Sequence, residues 1–302
     1  MVALTEVDPL ISEKTDEIHF MSPRITTQTK LCLIIGDPVS HSLSPKIHNF
    51  AYSKLGVDDQ FVYLATRVKS QDLASAVTGI RALGIRGVSC TMPHKSSVIP
   101  YLDELDPLAQ EIGAINTIVN NDGILWGTNT DIVGIIKPLE RAIKISETKF
   151  AILGSGGAAR AAAIGIKSKG GSVGIFSRNE KTGRDLACKV QGEFFPKESL
   201  SELKSFDVLI NATPVGMAPL QGAIPFDLDG RNLKGLKLVF DMVYNPENTA
   251  LLELARAFNI LTISGLEMLL EQAIEQIRLF TASIIGREEL DLNLLRKFSA
   301  HC

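Results

Sequence analysis

The sequence predicts an α/β protein in two lobes, and three observations lead to that prediction. Short apolar runs alternate with segments of helical periodicity along the chain, as they do where strands and helices alternate. After Asp131 the alternation becomes more regular and includes a glycine-rich turn between a strand and a helix. The chain has 302 residues, of which 45% are hydrophobic and 22% charged, so it is long and apolar enough for two cores.

The first lobe is predicted from apolar runs that have the length of strands. They lie at residues 31–35, 61–66 and 87–91. A helical pattern over residues 67–84 precedes the third run. Two more runs, at residues 115–120 and 123–129, flank the sequence Asn-Asp-Gly, which favours a hairpin turn. We therefore expect parallel crossover units followed by an antiparallel hairpin.

The second lobe is predicted to follow a linking helix over residues 132–143. The stretch "KFAILGSGGAARAAAIGIKSKGGSVGIFSRN" has the pattern of a strand, a glycine turn, a small-residue helix and a second strand. Further buried strands are predicted at residues 206–213, 236–243 and 260–265, and a helix is predicted at 248–258. Six apolar residues then recur at helical spacing: Leu266, Leu269, Leu270, Ala273, Ile277 and Phe280. They predict a last helix with one buried, apolar face.

Charge and composition argue against several classes of protein. The net charge is −3, from 31 basic and 34 acidic residues, and no Lys/Arg-rich block indicates nucleic-acid binding. The acidic, polar first 30 residues do not resemble a secretory signal, and no apolar run has the length of a membrane helix. The four cysteines match no zinc pattern, so no metal is expected. We expect a cytoplasmic protein with free thiols.

A dinucleotide site is predicted at the glycine turn in "FAILGSGGAARAA". Gly154 permits the tight turn, Gly156 allows a pyrophosphate to approach the backbone, and Gly157 opens the helix. Ala159 is small enough for close packing of helix on strand. The helix N-terminus supplies N–H donors and a dipole that favours anions.

The end of the next strand favours NADP over NAD. NAD sites usually have an acid at this position, which accepts a hydrogen bond from the ribose 2′-hydroxyl. Here Ser177, Arg178 and Asn179 stand in its place. A guanidinium can pair with a 2′-phosphate that a carboxylate would repel. Glu180 follows directly, so exclusive use of NADP is not required by the sequence.

Three polar turns of the first lobe contain the candidate catalytic groups. Lys95 ends "SCTMPHK", where Pro93 predicts a stiffened loop. Asp131 ends "GTNTD", and Asn116 lies in "GAINT". Oxidation of a secondary alcohol by hydride transfer needs a base that takes the hydroxyl proton, and the reverse reduction of the ketone needs an acid that returns it. A lysine whose ammonium is positioned by an aspartate can serve as that partner.

The stretch "SHSLSPKIHN" first resembles a hydrolase site, because it combines serines with histidines. It has no nucleophile elbow and no acidic partner. We therefore expect structural roles for His41 and His48. Pro45 suits the first turn of a helix, so Ser44 is predicted to be its N-cap. Both Ser42 and Ser44 would then face a helix N-terminus, where a carboxylate is favourable.

From about Leu31 to Ala282 the sequence resembles the shikimate dehydrogenase family. The matching segments occur in the family's order: "GDPVSHSLSPKIHN", "SCTMPHK", "GAINT", "GTNTD", "GSGGAAR", "SRN", "NATPVGM", "DMVYNP" and "GLEMLLEQA". "CTMPHK" and "DELDPLAQEIGAINT" resemble the dehydrogenase half of bifunctional dehydroquinate dehydratase/shikimate dehydrogenase. Because residues 1–30 are too short for a dehydratase, only the second activity is expected.

The resemblance implies a Rossmann-like, NADP-dependent oxidoreductase. It would reversibly reduce 3-dehydroshikimate to shikimate, in the pathway that leads to chorismate and the aromatic amino acids. Residues 1–30 would be an extension, residues 31–131 with about 266–302 the substrate-binding and catalytic domain, and residues 132–265 the NADP-binding domain. The last helices would pack back on the first lobe. The partners would be small molecules only, and the resemblance leaves monomer or homodimer open.

The resemblance also implies the roles of individual residues. Lys95 and Asp131 would be catalytic. The substrate would be bound by Ser42, Ser44, Thr91, Lys95, Asn116, Asp131, Tyr244 and Gln272. The cofactor would be bound by Gly154, Ser155, Gly156, Gly157, Ala158, Ser177, Arg178, Asn179, Thr213, Met242, Gly265 and Met268.

Departures from the family pattern keep two alternatives open. Ser89 stands where many members have Asn, and Thr182 where many have a second Arg beside the cofactor. The first alternative is a quinate or dual quinate/shikimate dehydrogenase, although members that take quinate often have Thr at the position of Ser44. The second is a non-catalytic metabolite sensor, which would be expected to lack the pair of Lys95 and Asp131.

Overall fold

A computed structural model describes residues 25–282 and 290–299 of the chain. Residues 1–24 of the predicted N-terminal extension lie outside the described residues. So do residues 283–289 and 300–302 of the C-terminal segment. The described residues form two six-stranded sheets with helices packed against them. This confirms the predicted α/β class.

The first sheet mixes parallel and antiparallel strands, as predicted. Its strands are β1 (Lys30–Gly36), β2 (Phe61–Arg67), β3 (Gly87–Cys90), β4 (Glu104–Leu105), β5 (Thr117–Asn121) and β6 (Ile124–Thr128). Their order is β2-β1-β3-β5-β6-β4. The first three are parallel, whereas β5 runs antiparallel to β3 and β6 and forms the predicted hairpin. Strand β4 was not predicted, because two residues are too few to show a periodicity.

The second sheet is entirely parallel, which is typical of a Rossmann-like lobe. Its strands are β7 (Lys149–Leu153), β8 (Ser172–Ser177), β9 (Glu193–Pro196), β10 (Val208–Asn211), β11 (Leu238–Asp241) and β12 (Leu261–Ile263). Their order is β12-β11-β10-β7-β8-β9. Strands β8 and β9 therefore extend the sheet on one side of β7, and β10 to β12 extend it on the other, so the strand order reverses between β7 and β10. Ligands of such sheets bind outside the carboxyl ends of the strands at this switch point.

The helices cover both sheets and connect them. They are α1 (Ser44–Lys54), α2 (Leu73–Ala82), α3 (His94–Ser97), α4 (Pro107–Ile112), α5 (Asp131–Ala142), α6 (Gly157–Ser168), α7 (Glu180–Lys189), α8 (Gly230–Leu233), α9 (Ala250–Ala257), α10 (Gly265–Phe280) and α11 (Leu292–Ser299). Helix α5 leads from the first sheet to the second. None of the helices in the described part of the chain is long and apolar enough to span a membrane.

Helix α10 belongs to the cores of both lobes. Leu270, Ile277 and Phe280 are buried with the strands and helix α1 of the first lobe. Met268, near the start of α10, is buried in the main core of the second lobe. The predicted return of the last helices to the first lobe is therefore confirmed.

Two local predictions were wrong. Ser44 is the first residue of α1, not its N-cap, which is Leu43. Pro45 occupies the second helical position, so the helix begins one residue earlier than predicted, and the Ser42 hydroxyl accepts the Ser44 N–H at 3.2 Å. Lys95 lies in the short helix α3 and not in a loop. That helix is fixed by the buried His94, whose Nε2 donates to the Val68 carbonyl at 2.6 Å.

Candidate active site

Lys95 and Asp131 form an ion pair at the carboxyl end of the first sheet. Lys95 lies on α3, which follows β3, and Asp131 is the first residue of α5, which follows β6. Asp131 Oδ2 accepts a hydrogen bond from Lys95 Nζ. The aspartate side chain is 1% exposed and the lysine side chain 23%. The carboxylate is therefore hidden, whereas the lysine side chain is partly exposed.

Asn116 connects this pair to the last long helix. Its Nδ2 donates to Asp131 Oδ1 at 2.9 Å and to Gln272 Oε1, on α10, at 3.0 Å. Its Oδ1 accepts from the Thr130 N–H and from the Thr117 hydroxyl, both at 2.8 Å. The structure thus brings four of the predicted site residues, Lys95, Asn116, Asp131 and Gln272, into one hydrogen-bonded group. Asn116 is held in it through both the nitrogen and the oxygen of its side-chain amide.

The predicted serine pair lies beside two tyrosines. Ser42 lies near Tyr244, a residue contributed by the second lobe, and burial raises the pKa of Tyr244. Ser44 is buried near Tyr63. Among the described residues, no hydrogen bond links these serines directly to Lys95 or Asp131. The serines therefore form a separate group of hydroxyls.

Thr91 is fixed by its backbone at the end of β3. Its N–H donates to the Ile35 carbonyl of β1 at 3.0 Å. Its methyl group packs so closely on Gly36 that a Cβ at that glycine would overlap it. The hydroxyl of Thr91 makes no hydrogen bond within the described residues, which leaves it available to a ligand.

The glycine turn before α6 has the shape that a dinucleotide requires. Gly154 has a φ of +112°, and a Cβ there would lie 3.3 Å from the Ala212 carbonyl oxygen and from Thr213 Cγ2. No atom lies within 4 Å of a Cβ built at Gly156, so the space in front of the turn is open. Within the described residues, no side chain caps the 12-residue helix α6. Its first N–H groups, those of Gly157 and Ala158, are thus free to bind an anion, and the turn fits the pyrophosphate of NADP.

The residues predicted at the adenosine end follow β8. The hydroxyls of Ser155 and Ser177 are 3.0 Å apart, and Arg178 is exposed. Asn179 is the N-cap of α7, where its Oδ1 accepts from the Thr182 N–H at 3.1 Å. Arg178 is therefore a cation at this strand end with a side chain open to a 2′-phosphate.

The remaining predicted cofactor residues lie where the second sheet meets α10. The Thr213 hydroxyl donates to Asn211 Oδ1 at 2.7 Å, at the end of β10. Gly265 begins α10 so close to the backbone of Met242 that a Cβ would overlap the Met242 carbonyl oxygen. The carbonyl oxygen of Met268 lies 2.7 Å from the Cβ position of Gly134.

The glycine turn and the pair of Lys95 and Asp131 are neighbours across the two lobes. A Cβ built at Gly157 would lie 4.0 Å from Lys95 Cδ and 3.6 Å from Ala114 Cβ. A group bound at the start of α6 would therefore be close to the lysine.

Known proteins are similar to this chain in both sequence and fold. A sequence model described as the shikimate dehydrogenase substrate binding domain matches residues 34–118. The shikimate dehydrogenase (NADP(+)) of Methanothermobacter thermautotrophicus is 40% identical over 271 residues, which cover 85% of this chain and 93% of that relative. The chain belongs to the shikimate dehydrogenase family.

Solved structures of shikimate dehydrogenases have the same fold. Shikimate 5-dehydrogenase from Listeria monocytogenes, in complex with shikimate and NAD, is 34% identical with a TM-score of 0.82 and covers 92% of this chain and 99% of its own. The Thermus thermophilus enzyme, in complex with NADP(H) and shikimate, is 31% identical with a TM-score of 0.80, and the match covers 89% of this chain and all of that one.

Several residues of this shikimate dehydrogenase family member support the site but were not predicted. The Tyr63 hydroxyl donates to Ser89 Oγ at 2.6 Å, and Ser89 Oγ donates to Gln276 Oε1 at 2.9 Å. Gln276 Nε2 in turn donates to Thr117 Oγ1 at 3.0 Å, and that hydroxyl is the one that donates to Asn116. Burial raises the pKa of Tyr63, so its hydroxyl stays a donor. The available signal was the spacing of Gln272 and Gln276, which places both on one face of a helix.

The described residues offer no metal site to this family member. In residues 25–282 and 290–299, no group of three or more His, Cys, Asp or Glu side chains is arranged to hold a metal ion. Burial raises the pKa of both the Cys32 and the Cys90 thiol to about 12, so neither is a thiolate at neutral pH.

Proposed function

We propose that the chain catalyses the reversible NADP-dependent reduction of 3-dehydroshikimate to shikimate. The observation that carries this proposal is the position of Lys95. It pairs with the hidden carboxylate of Asp131 on one side, and its Cδ lies 4.0 Å from the Cβ position of Gly157 on the other. The proton-transfer group thus lies between a buried carboxylate and a turn that fits a dinucleotide.

Lys95 is proposed to exchange the proton of the reacting oxygen. Reduction of a ketone to a secondary alcohol adds a hydride to carbon and a proton to oxygen, and NADPH supplies the hydride. Lys95 Nζ gives its proton to the oxygen as the alcohol forms and takes it back in the reverse reaction. Asp131 positions the ammonium, and Asn116 keeps the second oxygen of that carboxylate occupied at 2.9 Å.

The hydroxyl and amide groups around the pair are proposed to orient the substrate. Ser42 and Ser44 would bind the carboxylate, with Tyr244 reaching the same group from the second lobe. The ring hydroxyls would be bound by Thr91, Asn116, Asp131 and Gln272. Such convergent groups are effective because they fix the reacting carbon and exclude water from it.

The cofactor is proposed to lie along the start of α6. The turn formed by Gly154, Ser155, Gly156, Gly157 and Ala158 would hold the pyrophosphate, while Ser177, Arg178 and Asn179 would face the adenosine end. The nicotinamide would be lined by Thr213, Met242, Gly265 and Met268. NADP is preferred to NAD because Arg178 is free to pair with a 2′-phosphate, whereas Arg184 is already paired with Glu180 at 2.7 Å.

Replacing Lys95 by Met tests the assignment of the proton-transfer group. We expect kcat for shikimate oxidation to fall by about 10²- to 10⁴-fold, the usual contribution of general acid–base catalysis. KM should change much less, because the other binding groups remain. The matched control is Lys204→Met, which removes an exposed lysine of the second lobe. A Lys95→Met enzyme with the kcat of the control would refute the assignment.

Substrate and cofactor preference can be tested in one set of assays. Steady-state kcat/KM is measured for shikimate and for quinate, each with NADP and with NAD. We expect the highest value for shikimate with NADP. A higher value for quinate would establish the quinate alternative, and absence of turnover with all four pairs would favour a metabolite sensor.

A further inference from the structure

Arg160 joins the glycine turn of one lobe to the catalytic segments of the other. It is the fourth residue of α6, and its N–H donates to the Gly156 carbonyl at 2.9 Å. Its side chain crosses to the first lobe, where Nε donates to the Ile112 carbonyl at 2.8 Å. Its Nη2 donates to Ser96 Oγ at 3.1 Å and to the Gly113 carbonyl at 3.3 Å. The guanidinium therefore spans the two lobes.

The three acceptors of Arg160 lie beside catalytic residues. Ser96 follows Lys95 on α3, and Ile112 and Gly113 end the helix α4 that leads to Asn116. The two segments are also bonded to each other, because the Ser96 hydroxyl donates to the Gly113 carbonyl at 2.9 Å and the Ile115 N–H to the Lys95 carbonyl at 2.7 Å. Arg160 thus holds one rigid unit that includes both the lysine and the asparagine.

No carboxylate neutralises Arg160 within the described residues, since all its side-chain acceptors are uncharged. Burial lowers the pKa of Arg160 from its usual value, although a guanidinium remains charged at neutral pH. Its Nη2 also lies 4.0 Å from the Cβ position of Gly157, beside the turn that fits a pyrophosphate. An anion at that turn would favour the conformation in which Arg160 stays in place.

A second cationic side chain of the second lobe binds the C-terminal end of α4. Lys189, the last residue of α7, donates to the Glu111 carbonyl, and its side chain is exposed. It contacts neither Ser96 nor Gly113 among the described residues. Lys189 therefore also connects the two lobes but does not reach the catalytic segments, which makes it a matched control.

We propose that Arg160 is a positioning residue that couples cofactor binding to substrate binding. A cofactor at the glycine turn fixes the start of α6, and Arg160 then holds Lys95 and Asn116 in the arrangement that receives the substrate. When the lobes separate, its three acceptors are lost together. Cofactor and substrate must then strengthen each other's binding by the same factor. This inference rests on the proposed function.

The coupling is measured by titrating shikimate into the protein with and without saturating NADPH. Shikimate and NADPH are both reduced, so the ternary complex cannot turn over, and calorimetry reports binding alone. For the wild type we expect NADPH to tighten shikimate binding by about tenfold, within the usual range of allosteric coupling. In Arg160→Met that factor should fall to within about twofold of one. Lys189→Met should keep the wild-type factor.

The outcomes separate this inference from the proposed function. Absence of shikimate binding to the wild type under both conditions refutes the proposed function. Binding that NADPH does not strengthen refutes only the coupling. An Arg160→Met protein with the wild-type factor, or equal losses in Arg160→Met and Lys189→Met, also refutes the role of Arg160. Should Arg160→Met fail to fold, Arg160→Lys is measured instead. Its single ammonium nitrogen replaces the two donating nitrogens of Arg160, Nε and Nη2, so an intermediate coupling factor is expected. An unchanged factor refutes the role.

Discussion

Replacing His48 by Phe is expected to remove the contribution of one buried imidazole to the acid sensitivity of this fold. The imidazole is completely buried and stacks on Tyr63, with 4.0 Å between the ring centroids. Its other ring neighbours, Tyr52 and Phe280, are uncharged. Burial lowers the pKa of His48 to about 3.

The magnitude follows from the difference between the folded and unfolded states. An unfolded His48 binds its proton near pH 6.5, whereas the folded protein excludes it until the pH approaches 3. The stabilising effect of the neutral ring is complete above the unfolded pKa and is lost as the pH falls towards the folded one. Each pH unit in that window costs about 1.4 kcal/mol, so the free energy of unfolding should fall by about 2.7 kcal/mol between about pH 8 and about pH 4.5 on account of His48.

The assay is urea unfolding of wild type and His48→Phe at both pH values. A phenyl ring can stack on Tyr63 but takes up no proton, and any constant packing cost cancels when the two pH values are compared within one protein. The variant should lose about 2.7 kcal/mol less than the wild type on acidification. Replacing the exposed His41 by Gln is the control and should leave the wild-type loss unchanged. Equal losses in wild type and His48→Phe would refute the reasoning.

Two further predictions concern the contact between α5 and α10 and the choice of cofactor. Gly134→Ala should lower the free energy of unfolding, measured with urea, by about 1–3 kcal/mol, because the new Cβ would lie 2.7 Å from the Met268 carbonyl oxygen. The control is Gly79→Ala, where the space around the Cβ is open, and this change should raise the free energy of unfolding by about 0.4–1 kcal/mol. Arg178→Met should raise KM for NADP by about tenfold with little change in KM for NAD, since only NADP carries the 2′-phosphate with which the guanidinium would pair. Lys181→Met is the matched control, and an equal effect there would contradict the role of Arg178.

The sequence could predict whatever depends on local pattern. The hairpin at β5 and β6 was predicted because Asn-Asp-Gly has few other conformations available to it. The glycine turn was predicted because Gly154 and Gly156 stand between a strand and a helix. Both are properties of a few neighbouring residues, which is why the structure confirms them.

The interactions that the sequence could not predict are between distant residues. Arg160 binds backbone carbonyls that any residue type would provide, so nothing at Ile112 or Gly113 identifies them as acceptors. Gln276 meets Ser89 across 187 residues of chain. The misplaced helix start at Ser44 has a different cause, since a proline is equally acceptable in either of the first helical positions.

The position of Asp131 explains how one site can depend on two lobes. As the first residue of α5, its carboxylate lies where the helix dipole favours negative charge. The same helix continues into the second lobe, where Ile135 and Leu139 are buried in its core. Asp131 therefore lies where the chain passes from the first lobe into the second, and its carboxylate is positioned by the helix that connects them. Arg160 contacts the segments of Lys95 and Asn116 from α6, so the proposed coupling acts on those two residues, while the carboxylate is held by its own helix.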